Sequence, residues 1–326
     1  ASLKKYNTFG IDVKCAKMVH LYSHQDIFEF LLSNEQPYMV LGGGSNVLFT
    51  QDFDGVVLKN EIKGYEIIDE DEEQLLVKVG AGENWHHFVL WTVAHQLWGL
   101  ENLSLIPGSV GAAPMQNIGA YGTEQNNCFH SLTAINLQEG TTEVYYKNDC
   151  NFGYRESVFK HELKNKVIIT HVCYLLSKVA KPNLNYKDVQ EKIGHLSSPT
   201  IKEISDAIIE IRQTKLPDPL KLGNAGSFFK NPVVSKLHFE KLFQDNPEMP
   251  HYPSGDDIKI PAAWLIDQCG FKGKVIGNTG NHSKQALVIV NYGNASGSEI
   301  YHHAKNIQDI VKQKYEITLE MEVNII

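Results

Sequence analysis

Long apolar runs are missing from this sequence. No stretch approaches the roughly 18 apolar residues expected of a membrane-spanning helix, and Ala1 to Lys14 lacks a basic-then-apolar leader pattern. Cationic excess is missing too. Against 38 Asp and Glu stand 30 Lys and Arg, a formal net charge of -8, which argues against a general nucleic-acid binder because such a protein needs a basic face. Cysteine is sparse: Cys15, Cys128, Cys150, Cys173 and Cys269 are odd in number, widely spaced and form no C-x-x-C pair. That argues against a disulfide framework or a zinc site and suits a reducing compartment. The histidine pairs His86-His87 and His302-His303 lack H-E-x-x-H spacing, so surface or core histidine is favoured and no metal is expected. These absences lead to the expectation of a soluble, cytoplasmic protein that engages neither nucleic acid nor membrane.

At 326 residues the chain exceeds the size at which one hydrophobic core usually keeps growing, so two or three domains are expected. Ser23 with Asp26 three residues on reads as an N-cap, and Ile27, Phe30 and Leu31 give one apolar helical face. Tyr38 to Leu41 is a short strand running into Gly42-Gly43-Gly44-Ser45-Asn46, and Val56 to Leu58 reads as another, giving a βαβ-like unit. Leu75 to Val79 is a strand, followed by a helix from about Glu83 with Trp85, Phe88, Val89 and Thr92 on one side. Strand-like runs at Thr133 to Leu137, Glu143 to Tyr146 and Val167 to Leu176 suggest a mostly antiparallel sheet with helices, an α+β layout.

Thr200 and Glu203 form a capping box ahead of a helix through Ile201, Ile204, Ile208 and Ile211, ending near Arg212. Leu216-Pro217-Asp218-Pro219 cannot continue a helix and reads as a linker. Further helices are expected near Pro261 to Cys269 and Glu299 to Lys314. The last segment alternates: Ile317, Leu319, Met321 and Val323 share one strand face, and Thr318, Glu320, Glu322 and Asn324 the other. Two neighbouring carboxylates there are either a site or a solvated face, and the pattern does not choose between them.

Three segments invite chemistry. Gly42 to Asn46 follows a strand, and consecutive glycines let backbone N–H groups approach a phosphate, with Ser45 and Asn46 as added donors. It is no Rossmann fingerprint, since Val47 stands at the third glycine position; a plain glycine turn remains the alternative. Residues 102 to 122 carry no charge and include Pro107, Gly108, Gly111, Gly119, Ala120 and Gly122. Small residues allow a backbone to lie flat against a large ligand, and Gln116 and Asn117 offer paired donors and acceptors for a ring edge. The alternative is a tightly packed buried loop. Arg212, Lys215, Ser227, Lys230 and Asn231 cluster around Gly223-Asn224-Ala225-Gly226 and suit a diphosphate through charge-assisted hydrogen bonds. Scattered surface cations are the rival account. No G-x-S-x-G elbow supports a hydrolase.

Together these segments resemble the UDP-N-acetylenolpyruvoylglucosamine reductase (MurB) family, from Asn7-Thr8-Phe9-Gly10 to Leu319-Glu320-Met321-Glu322-Val323. The matches are Gly42 to Asn46, Ile106 to Gly122, Phe152-Gly153-Tyr154-Arg155-Glu156-Ser157, Thr214-Lys215-Leu216-Pro217 and Asn224 to Pro232. Tyr186, in Asn185-Tyr186-Lys187-Asp188, resembles the substrate-clamping tyrosine of the subtype with an extra loop.

The resemblance implies an α+β fold with a two-part FAD-binding region of the vanillyl-alcohol-oxidase/PCMH type and a smaller substrate domain. Its implied divisions are residues 1–60 and 61–213 for FAD, 214–318 for substrate, and 319–326 as a C-terminal strand carrying the catalytic Glu. It implies that Gly42, Gly43, Gly44, Ser45 and Asn46 hold the FAD diphosphate. Pro107, Gly108, Gly111, Gln116, Asn117, Gly119 and Ala120 would line the flavin, with Ile169 and Arg212 near it. Tyr121, Tyr186, Lys215, Asn231 and Gln285 would contact a UDP-sugar. FAD is expected to be non-covalent, because the glycine loop has no nearby His.

By the same resemblance NADPH gives a hydride to FAD, and the hydride then passes to C3 of the enolpyruvyl group. Arg155 and Glu322 would stabilise the charge developing at C2 and its carboxylate, and Ser227 would protonate C2. Apart from the resemblance, the charge of nearby Lys230 would favour the alkoxide left behind. A monomer is expected.

The sequence departs from the family at Asn324, where Arg is common, and at Ala112 and Ala113, where some members have Ser. The chain ends at Ile326, so Glu322 is expected near a mobile end. Two other readings stand beside this one: another flavin oxidase on the same scaffold, and a non-catalytic nucleotide-sugar binding protein.

Overall fold

Local signals set the first elements. In the computed structural model, which describes all 326 residues, Ser23 Oγ accepts from the Asp26 N–H and the Asp26 carboxylate accepts from the Ser23 N–H. This capping box opens helix His24–Ser33. The helix buries Ile27 and Phe30 with Leu21, Val56 and Leu58. The three-stranded sheet behind it runs Cys15–Leu21, Phe53–Asn60, Tyr38–Leu41, with Tyr38–Leu41 parallel to Val56–Lys59.

The chain forms two compact units. One holds Ala1, Cys15–Gly43 and Asp54–Thr214; the other holds Ser2–Lys14, Gly44–Phe53 and Lys215–Ile326.

In the first unit a five-stranded antiparallel sheet has the order Thr142–Tyr146, Phe129–Asn136, Val167–Ser177, Gln74–Gly80, Tyr65–Glu70. Leu75, Val77 and Val79 alternate into its core. Helix Trp85–Ala94 covers them, with Trp85, Phe88 and Tyr174 packed ring to ring and Trp85 Nε1 donating to Leu103 O at 3.1 Å. Each such aromatic, fully buried, contributes about 1.5–3 kcal/mol. A bulge between Ile169 and His171 changes which residues of Val167–Ser177 face this core. Ile169 points into it, and beyond the bulge Val172, Tyr174 and Leu176 do. Helix Ile201–Lys215 runs past Arg212, where it was expected to end, and stops just before Pro217. Helix Lys187–Ile193 was not foreseen; it is short and begins at Tyr186 without a side-chain cap.

The second unit holds a four-stranded sheet, Gly223–Ser227, Val288–Asn291, Thr279–Asn281, Val275–Ile276, and a three-stranded one, Val233–Val234, Asp257–Lys259, Tyr252–Ser254. Its helices are Lys236–Asp245, Ala262–Gln268 and Gly297–Tyr315. The last opens on a Ser296/Glu299 capping box and buries Ile300, Ala304, Ile307 and Val311. Helix Lys236–Asp245, capped by Ser235, was missed in the sequence.

The terminal segment corrects two expectations. Ile317, Leu319 and Val323 are buried as the alternation predicts, yet the segment makes only an isolated bridge at Met321, to Phe229. That bridge consists of Lys230 N–H donating to Glu320 O and Glu322 N–H to Phe228 O, and beyond it Gln308 Nε2 donates to Leu319 O. Nor is the end loose. Asn324–Ile325 pairs parallel with Val47–Leu48, and Ile326 O accepts from Thr50 N–H at 2.7 Å. No helix is long and apolar enough to cross a membrane.

Candidate active site

Strand Tyr38–Leu41 delivers the chain into the glycine loop, and the short strand Val47–Leu48 follows it. In the first unit, a Cβ on Gly42 would lie 2.5 Å from Ser109 Oγ, and one on Gly43 would lie 2.7 Å from Gly108 Cα. At Gly43 the loop and the uncharged stretch therefore meet backbone to backbone, which requires Gly. In the second unit Gly44 adopts φ +65, and its carbonyl accepts from Thr8 N–H at 3.0 Å. There the N–H groups of Gly44 and Ser45 donate to no protein acceptor, and successive unused backbone donors suit a phosphate, so this loop fits FAD.

Lys59 is a residue the sequence reading missed. Its Nζ donates to Gly42 O at 2.7 Å, and burial lowers its pKa. The available signal was a lone Lys closing the apolar run Val56-Val57-Leu58.

Gly43→Ala is expected to force the two glycine segments apart, at about 1–3 kcal/mol for overpacking. The protein should lose flavin on gel filtration and melt earlier. Unchanged flavin content and melting temperature would contradict the close approach.

The uncharged stretch is braced from several sides. Gly111 N–H donates to Ala81 O at 2.8 Å and Trp85 N–H to Gly108 O at 3.0 Å, so the second glycine turn, Gly80-Ala81-Gly82, serves as its packing partner. Asn117 is fully buried at φ +43. Its Nδ2 donates to Glu124 Oε2 at 2.8 Å and Gly153 O at 3.0 Å, and its Oδ1 accepts from Gln125 Nε2 and Asn126 N–H. Both donors and both acceptor sites of this amide are thereby used inside the protein, so any flavin contact falls to its backbone. Gln116, Gly119 and Ala120 are half-buried, and Pro107 is exposed.

Arg155 stands on a two-residue turn whose flanks, Gly153 and Glu156, exchange backbone hydrogen bonds of 3.0 and 3.2 Å. It takes φ +55, a left-handed conformation that costs a non-glycine residue roughly 1–2 kcal/mol. The turn is locked to the uncharged stretch: Arg155 Nη2 donates to Gly119 O at 2.7 Å, Ser157 Oγ to Met115 O at 2.5 Å, and Asn117 Nδ2 to Gly153 O. Two segments singled out separately in the sequence are thus one assembly.

Beside it, Gly119–Ala120 pairs with Thr123–Glu124 around a Tyr121-Gly122 corner at φ +50 and +77. The Tyr121 and Tyr186 rings meet edge to face, with centroids 5.2 Å apart. Arg212 bonds the Tyr121 side chain and donates from Nε to Leu105 O at 3.3 Å. Burial lowers its pKa, with Tyr121 acting in the opposite sense. The same enclosure, with His87 and Arg212, lowers the pKa of His86, whose Nδ1 accepts from Leu105 N–H at 2.8 Å. Ile169 is in the core, and its carbonyl accepts from Asn60 Nδ2 at 2.8 Å.

In the second unit Gly226, at φ +70, sits in a one-residue bulge between Asn224 and Ser227. Asn224 Oδ1 accepts from Gly226 N–H at 2.9 Å and holds that bulge. A bulge re-aims the residue after it, here Ser227. Segment Phe228–Lys230 runs antiparallel to Glu320–Glu322 through the Phe229–Met321 bridge, and Ser227 immediately precedes Phe228, whose carbonyl accepts from Glu322 N–H. The carbonyl of Glu322 accepts from Asn46 Nδ2 at 3.1 Å, and Asn46 O accepts from Asn324 Nδ2 at 2.9 Å.

The two carboxylates differ. Glu322 is half-buried, whereas Glu320 has a side chain 66% exposed and pairs at 2.6 Å with Lys230, whose own side chain is 8% exposed. Asn231 Oδ1 accepts from the first N–H of helix Ala262–Gln268, and Gln285 lies in the turn whose Leu287 carbonyl accepts from Phe228 N–H. Lys215 ends helix Ile201–Lys215.

Residues 218–326 match the C-terminal domain model of UDP-N-acetylenolpyruvoylglucosamine reductase, and residues 20–145 match an FAD binding domain. The chain is 49% identical over 330 residues to the UDP-N-acetylenolpyruvoylglucosamine reductase of Flavobacterium johnsoniae, covering 100% of this chain and 98% of the relative. It is 45% identical over 329 residues to that of Burkholderia ambifaria, covering 98% and 94%.

Among solved structures, the Thermus caldophilus MurB shares the fold at TM-score 0.70 and 24% identity, covering 100% of this chain and 97% of that one. The 4-ethylphenol oxidase of Gulosibacter chungangensis shares it at TM-score 0.52 and 10% identity, covering 95% and 82%. The fold is therefore α+β, an FAD-binding region of the vanillyl-alcohol-oxidase/PCMH type followed by a C-terminal domain. The chain belongs to the UDP-N-acetylenolpyruvoylglucosamine reductase family.

Proposed function

We propose that this protein reduces UDP-N-acetylglucosamine enolpyruvate to UDP-N-acetylmuramate for peptidoglycan synthesis, with NADPH as the electron donor. The observation that carries the reading is the pairing of Phe228–Lys230 with Glu320–Glu322, which brings the segment of the candidate proton donor beside the segment of the candidate carboxylate. When bound, FAD supplies hydride transfer from NADPH to C3 of the enolpyruvyl group. Gly42 to Asn46 hold its diphosphate, and Pro107, Gly108, Gly111, Gln116, Asn117, Gly119, Ala120, Ile169 and Arg212 surround the rest.

Tyr121, Tyr186, Lys215, Asn231 and Gln285 bind the UDP-sugar. Arg155, and Glu322 as its protonated acid, donate hydrogen bonds where negative charge grows at C2 and the carboxylate, and Ser227 delivers the proton to C2. Residues 1–60 and 61–213 serve FAD, 214–318 serve the sugar, and 319–326 carry Glu322. The protein works as a monomer in the cytoplasm.

The purified protein is expected to be yellow and to release all its flavin on acid or heat treatment. NADPH should bleach it, and the enolpyruvyl sugar should restore the colour faster than air does. Flavin that stays on the denatured chain would exclude non-covalent binding. Air faster than sugar would favour an oxidase, and a colourless protein would favour a non-catalytic sugar binder.

A further inference from the structure

Four hydrogen bonds tie a loop of the first unit to the Tyr121 hairpin through two asparagines that no motif marks. The loop joins strand Val167–Ser177 to helix Lys187–Ile193 and carries Tyr186 at its end. Asn183, half-buried within it, donates from Nδ2 to Gly122 O at 2.9 Å and to Thr123 Oγ1 at 3.2 Å. Its backbone carbonyl accepts from Asn102 Nδ2 at 2.9 Å, and the same amide nitrogen donates to Tyr121 O at 2.9 Å.

Asn102 is 1% exposed, and its Oδ1 has no hydrogen-bond partner. That orphan oxygen has a physical reason. Both neighbours are carbonyls, so only the NH2 end of the amide satisfies them, and the acceptor end is turned away from any donor. Asn102 thus grips the hairpin and the loop at once. The hairpin corner is itself a left-handed pair, φ +50 at Tyr121 and +77 at Gly122, which benefits from such a grip. Tyr186 lies three residues beyond Asn183, with its ring edge to face with Tyr121 at 5.2 Å.

We infer that Asn102 and Asn183 form a latch that sets Tyr186 against Tyr121. They are positioning residues for recognition of the sugar's diphosphate, and the inference rests on the substrate role given to Tyr186 above. Without the latch the loop samples arrangements that do not bind, and apparent affinity falls in proportion to the competent fraction. Hydride and proton delivery use other residues, so the limiting rate is preserved.

The test uses the full-length holoprotein with Asn183→Ala, chosen because this side chain is only half-buried. Anaerobic stopped-flow absorbance follows flavin reoxidation across concentrations of UDP-N-acetylglucosamine enolpyruvate. The half-saturating concentration should rise about tenfold, with the limiting rate and the rate of reduction by NADPH close to wild type. In a Tyr186→Ala background Asn183→Ala should add nothing, since both act through one contact. An unchanged half-saturation, or a rise that adds in full to that of Tyr186→Ala, overturns the latch while leaving the function intact. If Tyr186→Ala alone has no effect, the inference falls together with the role of that tyrosine. A wild-type protein that the sugar does not reoxidise defeats the functional reading itself.

Discussion

Ser227→Ala is expected to bind FAD and to be reduced by NADPH at a near-normal rate, while its reoxidation by UDP-N-acetylglucosamine enolpyruvate slows by at least about a hundredfold. A serine hydroxyl is a weak acid, so its use as a proton donor depends on aim. The bulge at Gly226, held by Asn224, would supply that aim. Both half-reactions use the same flavin, but only the second needs a proton at C2. A positioned general acid typically contributes on the order of 10²–10⁴-fold, and none of that is drawn on during reduction by NADPH. Stopped-flow flavin absorbance, with each half-reaction run alone, separates the cases. If Ser227 only packs in its strand, both steps would change little, and unchanged reoxidation in the Ala variant would remove it from the mechanism.

The second large effect distinguishes the paired carboxylates. Glu322→Gln should slow reoxidation by the sugar on the order of 10²-fold, the scale seen when a group facing developing charge is removed, and should leave the melting temperature nearly unchanged. Glu320→Gln should do the opposite. Its own charge is well exposed and screened, so its loss matters little to the reaction. It does, however, strip the carboxylate from the buried Lys230 ammonium, at a cost of about 1 kcal/mol. Rate and melting temperature measured on both variants give a crossed pattern. Equal or reversed losses in rate would mean that the carboxylates have been assigned the wrong way round.

Much of this was legible in the sequence. Ser23 with Asp26, and the alternation from Leu75 to Val79, rest on neighbours two to four residues away, so local pattern was enough to place a cap and a strand. Ile317 to Val323 was read as a strand with Ile317, Leu319 and Val323 on its buried face; those residues are buried, but the segment makes only an isolated bridge, because burial follows local alternation whereas a ladder needs a partner far along the chain. The candidate residues came from motif resemblance, which the relatives at 45% and 49% identity support as a statement about family.

The sequence by itself determined the family, the α+β class and most of the helices and strands. Only the tertiary structure decided what those residues touch. It showed Asn117 committed to a buried network, Glu320 paired with Lys230, and Arg155 bonded to Gly119. It also showed that Ser2–Lys14 and Gly44–Phe53 group with Lys215–Ile326. The reason is separation along the chain. Asn46 and Glu322 lie 276 positions apart, and no local periodicity specifies a partner at that distance. Such a contact is selected by the packing of whole elements, when each buried N–H and C=O must find a mate in the folded chain.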